Sequence, residues 1–130
     1  MRYLGIDYGK KRVGVATSDQ SGNFSYPLSV LDNTDKLIDE ITKICKEKQI
    51  SEIVVGESRD FSQNENEIMS DIKPFVKSLE DKLGLPVHMH PEFMTSQEAE
   101  RLQGKNDMHD ASAAAIILKS YLDKLKNDPK

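Results

Sequence analysis

The sequence predicts an α/β fold built on a mixed five-stranded sheet, three antiparallel strands and then two parallel ones, with helices on both faces. Two observations carry that expectation. The first 31 residues hold three short runs rich in apolar and β-branched residues, separated by turn residues, which is the pattern of a hairpin meander. From residue 37 onward the period changes. Apolar residues at helical spacing then alternate with short strands, as they do where helical crossovers link parallel strands.

The elements follow in order. Arg2 to Ile6 and Arg12 to Thr17 read as strands joined by a turn at Tyr8 to Lys11, where Gly9 offers positive φ. Phe24 to Leu31 is a third strand, and Pro27 within it points to a sheet edge or a bulge. Leu37, Ile38, Ile41, Ile44 and Cys45 share one helical face, between the turn-like Asp32-Asn33-Thr34 and the polar run Lys46 to Gln49. "EIVVGE", Glu52 to Glu57, is a short buried strand. Ile68, Ile72, Phe75, Val76, Leu79 and Leu83 give a second helical face that stops at Gly84, and Pro74 inside it predicts a kink or a late start. "LPVHMH", Leu85 to His90, is a strand followed by Pro91 and Glu92. Gln97 to Gln103 reads as a short helix. Asp110 to Lys126 reads as a long one, with Ala113, Ala114, Ile117, Tyr121 and Leu125 on its buried side. Together these elements stand in the order of a ribonuclease-H-like fold.

At 130 residues and 37% hydrophobic, the chain has the size of a single domain, 1–130, with one core of ordinary extent. The lone Cys45 excludes an intramolecular disulfide framework and fits a reducing cytoplasm. The start MRYLGID lacks a long apolar segment, and "ASAAAIIL", Ala111 to Leu118, is too short to span a bilayer, so no membrane association is expected. A formal net charge of −4 argues against a protein that coats nucleic acid through bulk positive charge. It leaves room for a local basic rim, and the one dense basic run is Lys10, Lys11 and Arg12, beside Asp7.

The chemistry emerges when the acids are set on this map. Asp7, Glu57 and Glu92 each fall at the carboxyl end of an apolar strand, the edge at which open α/β sheets bind ligands. Asp110 opens the last helix, immediately before small residues that let a helix lie close to a sheet. Convergent carboxylates repel one another unless a cation compensates. A hard divalent ion such as Mg²⁺ takes oxygen ligands and keeps several waters, so a few acids without a full cage suit it. A pair of such ions about 3.5 to 4 Å apart is the arrangement that cleaves phosphodiesters. Each acid taken alone also has an ordinary reading, as a surface residue or, for Asp110, a helix N-cap. Their joint position favours the chemical one.

Other residues carry two readings each. His88 and His90 alternate on one strand, as a zinc pair does, but zinc needs further ligands and the remaining histidine is His109. His109 is a proton carrier, a phosphate contact or a packing residue. Asp107 shares a helical face with Asp110 if the helix starts early, and is otherwise a loop residue. Tyr8 and Phe93 flank the acids and either stack on a base or pack. Ser18, Asp19, Ser21 and Gly22 read as a hairpin turn.

Four segments, "GIDYGKKRVGVATSD", "EIVVGES", "LGLPVHMHPEFMTSQEAERL" and "HDASAAAIILKSYL", resemble in order and spacing the YqgF family of bacterial ribonuclease-H-like proteins. That family is described as pre-16S rRNA nucleases and as Holliday junction resolvase homologues. The resemblance implies a nuclease dependent on Mg²⁺ or Mn²⁺, with Asp7, Glu92 and Asp110 as metal ligands and catalytic acids. It also implies a nucleic-acid partner, RNA ahead of junction DNA, and a monomer or homodimer. Where the family carries an acid and an arginine around the glutamate, this chain has Pro91 and Phe93. Where it carries "GLP" after the fourth strand, this chain has "GES". Glu57 thereby takes the place of a catalytic glutamate in resolvases of the RuvC type, and the stretch between Leu102 and Asp110 is shortened. Phosphate contacts then fall to Lys10, Lys11, Arg12 and Arg59. The expected activity is endonucleolytic processing of precursor 16S ribosomal RNA. The alternatives are a four-way-junction DNA resolvase and, in another class, a catalytically weak nucleic-acid-binding or ribosome-assembly factor.

Overall fold

Tyr3–Asp7 (β1) and Arg12–Ser18 (β2) form the first antiparallel pair, with Leu4 opposite Thr17 and Asp7 opposite Gly14. The computed structural model describes residues 1–58, 69–92 and 109–127. Ser25–Asp32 (β3) pairs antiparallel with β2 and forms an edge of the sheet. Its register slips between Val15 and Ala16, where Pro27 comes opposite Ala16, so the proline occupies both an edge strand and an irregularity. Both positions tolerate the missing N–H.

Leu37–Lys48 (α1) then crosses to Glu52–Ser58 (β4), which lies parallel to β1, with Tyr3 opposite Glu52 and Ile6 opposite Val55. The crossover ends sharply. Gln49 adopts a left-handed conformation at φ 56, and the N–H of Ile50 donates to the carbonyl of Cys45. Met69–Leu83 (α2) continues through Pro74 and stops as the sequence predicts, with Gly84 at φ 67 and its N–H on the carbonyl of Glu80. Val87–Glu92 (β5) adds a second parallel strand beside β4, and His109–Asn127 (α3) is the long final helix. The sheet order is β3-β2-β1-β4-β5, five strands as the sequence predicts.

Alternation along the strands divides the core into two layers. Leu4, Ile6, Ile53 and Val55 face α1 and α2, where Leu37, Ile41, Ile72 and Leu79 close over them. Ala16 and Val54 face the other way, under Ala114, Ile117, Leu118 and Leu122 of α3. Each fully buried leucine or isoleucine contributes about 1.5–3 kcal/mol of apolar transfer energy. Gly5 sets how closely α3 approaches: a Cβ there would lie 2.8 Å from the Cβ of Leu118 and 3.0 Å from the carbonyl oxygen of Ala114. The alanine-rich stretch and Gly5 are the two sides of one close contact.

Three sequence expectations change. The last strand runs to Glu92 instead of stopping at His90, because β5 is an edge strand in which Pro91 is accommodated. Leu125 is exposed, since α3 extends beyond the sheet it covers. Gly9 does not take positive φ; it is required instead by closeness, because a Cβ would stand 2.4 Å from the carbonyl oxygen of Arg12. The expected helix Gln97 to Gln103 lies outside the described residues. Among the described residues no helix is long and apolar enough to cross a membrane.

Candidate active site at the carboxyl edge of the sheet

Asp7 owes its position to strand parity. Leu4 and Ile6 point into the α1–α2 layer, and Gly5 lies beneath Leu118 of α3, so Asp7 stands on the α3 face at the end of β1, half-buried. It falls one residue beyond the Ile6–Val55 pair, level with Gly56 and His90. The two parallel strands continue past it. Glu57 is paired with Pro91 in the next row, and Ser58 with Glu92 in the row after that. By this register Glu92 falls on the same face of the ladder as Asp7, whereas Glu57 falls on the alternate row, that of Ile53 and Val55.

Asp110 is the second residue of α3, one turn before Ala114, whose carbonyl lies against Gly5. Tyr121, further along the helix, packs edge-on against Tyr3 at the start of β1, with ring centroids 6.1 Å apart. The helix therefore runs opposite to β1 and begins toward the Asp7 end. Positions 7, 57, 92 and 110 gather at one edge. The side chains of Glu57, Glu92 and Asp110 lie outside the described part of the structure, as do residues Arg59, Phe93 and Asp107. Among the described residues no three His, Cys, Asp or Glu side chains form a metal-holding group, Asp7 being the member of the acidic set whose side chain is described. In donor chemistry the acids fit a hard divalent cation, for they offer carboxylate oxygens and no sulfur.

The basic turn is built beside Asp7. Lys10, Lys11 and Arg12 are exposed at the tip between β1 and β2. The side-chain amide of Asn33 donates to the carbonyl of Gly9 at 2.8 Å, and its backbone N–H donates to the carbonyl of Lys11 at 2.9 Å. Asn33, which the sequence marks only as a turn residue, thus braces the cationic tip from the far end of β3. Tyr8 packs on Phe75, centroids 4.7 Å apart, within the α1–α2 layer, which settles its two readings in favour of packing.

His88 and His90 do share a face, as their spacing predicts, but their ring nitrogens diverge. Nε2 of His88 meets Oε1 of Glu52 at 2.5 Å, and Nε2 of His90 meets the hydroxyl of Ser120 at 2.9 Å. Tyr121 lies between them, stacked on His88 and edge-on to His90. This is an aromatic joint between β5 and α3, and among the described residues the two histidines belong to no metal-holding group. Burial, and next the charge of Glu52, raise the pKa of both Tyr121 and Tyr3. Burial alone pushes the Cys45 thiol up to about 11, which leaves it protonated and chemically quiet.

Comparison with solved structures defines the class. Thermus thermophilus RuvC superposes with a TM-score of 0.66 at 15% identity, covering 98% of this chain and 97% of that one. The Fowlpox virus resolvase, solved with Holliday junction DNA, gives a TM-score of 0.63 at 14% identity, covering 96% of this chain and 99% of that one. At such identities the likeness is one of fold: this is a ribonuclease-H-like chain with the architecture of RuvC-type resolvases. The protein belongs to the RuvX family, whose model, described as Holliday junction resolvase, matches residues 1–124. A relative from Nitratidesulfovibrio vulgaris, named "Putative pre-16S rRNA nuclease", is 33% identical over 95% of this chain and 84% of its own length. One of the same name from Dictyoglomus turgidum is 33% identical over 100% of this chain and 99% of its own. Membership makes the protein a hydrolase of nuclease type.

Proposed function

We propose that the protein is a single-domain endonuclease that uses Mg²⁺ or Mn²⁺ to hydrolyse phosphodiesters of structured RNA, with precursor 16S ribosomal RNA as its substrate. The observation that carries this reading is the meeting of the carboxyl ends of β1, β4 and β5 with the start of α3 at one edge, with half-buried Asp7 on the α3 face. Asp7, Glu92 and Asp110 hold the metal. A divalent ion bound there supplies Lewis acidity toward the phosphate and toward the attacking water. Glu57, one row beyond Asp7 but on the alternate row of the ladder, stays outside the metal set, and its catalytic part is played from the end of β4. Lys10, Lys11 and Arg12, with Arg59, steer the phosphate backbone toward the acids, and the brace from Asn33 keeps the tip from folding away.

The names of the curated relatives support ribosomal RNA, whereas the family description supports a DNA junction. The deciding experiment gives purified protein and Mg²⁺ or Mn²⁺ a precursor 16S transcript and, separately, a four-way DNA junction. Cleavage of the transcript with the junction left intact is expected. Symmetric cuts in the junction with an intact transcript would replace the RNA reading by that of a resolvase, and a dimer in solution would accompany it.

A further inference from the structure

We infer that His90, Ser120 and Tyr121 form a positioning clamp that holds the end of β5 against α3 and so fixes the spacing of the metal-binding edge; this rests on the metal site proposed above. Among the described residues, the apolar layer beneath α3 draws on Tyr3 of β1, Ala16 of β2 and Val54 of β4 and on no residue of β5. β5 is moreover an edge strand, hydrogen-bonded to β4 alone. Among the described residues, the contacts that join it to α3 are polar and aromatic: the 2.9 Å contact of His90 Nε2 with the Ser120 hydroxyl, and the Tyr121 ring set 5.9 Å edge-on from His90 and 5.5 Å in a stack from His88.

A buried histidine is a costly way to fill space, because its ring nitrogens must find partners. His90 is 9% exposed and finds one on α3. A hydrogen bond adds little net stability, but it has a direction, which aliphatic packing lacks. His90 stands level with Asp7 in the ladder and two residues before Glu92. The bond therefore fixes β5 within about 7 Å of its ligand-bearing end. It does so relative to the same helix that carries Asp110. Partners that orient metal ligands from behind typically matter about 10- to 100-fold in metal affinity.

The test uses the full chain and three variants, Ser120→Ala, His90→Leu and His90→Gln, with Mn²⁺ affinity measured calorimetrically in the absence of nucleic acid. Deuterium uptake at the amides of residues 88–90 and 92 is followed in metal-free protein, and thermal midpoints are recorded. Ser120→Ala and His90→Leu are expected to weaken Mn²⁺ binding about tenfold or more and to speed exchange along β5, while Ser120→Ala keeps the wild-type midpoint. His90→Gln, whose amide nitrogen reaches the position of Nε2, restores both readouts. Wild-type Mn²⁺ affinity in Ser120→Ala and His90→Leu overturns the clamp alone, as does a His90→Gln protein no better than His90→Leu. Failure of the wild-type protein to bind Mn²⁺ at all overturns the metal site and the clamp together.

Discussion

Gly5 is where one missing methyl group matters most. With Leu118 Cβ at 2.8 Å and the Ala114 carbonyl oxygen at 3.0 Å from a built Cβ, Gly5→Ala forces α3 away from the sheet or bends β1. Overpacking of this kind costs about 1–3 kcal/mol. A lowered urea midpoint at unchanged m-value is the expected result, and an unchanged midpoint would contradict the close approach. Asp19 acts differently. It accepts from the Ser21 hydroxyl and from the N–H groups of Asn23 and Phe24, and these bonds, that of Ser21 first, lower its pKa below 3.8. The sign follows: a carboxyl with a depressed folded-state pKa adds stability that is in place above the unfolded value and fades as pH falls through the folded one. Asp19→Asn should therefore lower the thermal midpoint at pH 7, with the gap from wild type narrowing as pH falls below the ordinary carboxylate range; a gap constant with pH would show that the charge of Asp19 has no part in it.

The β1–β2 turn and β5 show which parts of the elements a sequence discloses. The turn itself is legible in "DYGKKR", and its cations are expected to grip phosphate. Neutralising Lys10, Lys11 and Arg12 together should reduce RNA affinity and make the slope of log affinity against log salt shallower by about 0.7 to 0.9 for each phosphate no longer gripped, with little change in rate at saturating substrate. Unchanged affinity and slope would reduce the run to a solvated turn. The brace on that turn was not legible, because Asn33 and Gly9 lie 24 residues apart and only the fold makes them neighbours. His90 and Ser120, 30 residues apart, escape the sequence for the same reason. Local signals served better: the Gly84 stop and the placing of Pro27 at an edge both follow from backbone chemistry within a few residues. Pro91 misled, since a proline reads as a terminator when nothing local reveals that its strand is an edge.

The topology as a whole was readable from the change of period, because a meander followed by helix-linked strands leaves few ways to order a five-stranded sheet. That order puts β1 at the centre, between its antiparallel partner and its parallel one, and so carries Asp7 to the middle of the carboxyl edge. The positions of Glu92 and Asp110 follow from the parallel register of β5 and from the direction of α3. The role of that edge is the central claim, and the most direct measurement is the rate of RNA cleavage against Mg²⁺ concentration for the wild-type protein and for Asp7→Asn, Glu92→Gln and Asp110→Asn. Each neutralised acid is expected to lower the saturated rate by about 10²–10³-fold, the loss typical of removing one stabiliser of transition-state charge, while circular dichroism reports an intact fold. Metal-dependent cleavage at the wild-type rate in a folded Asp7→Asn protein would contradict the account.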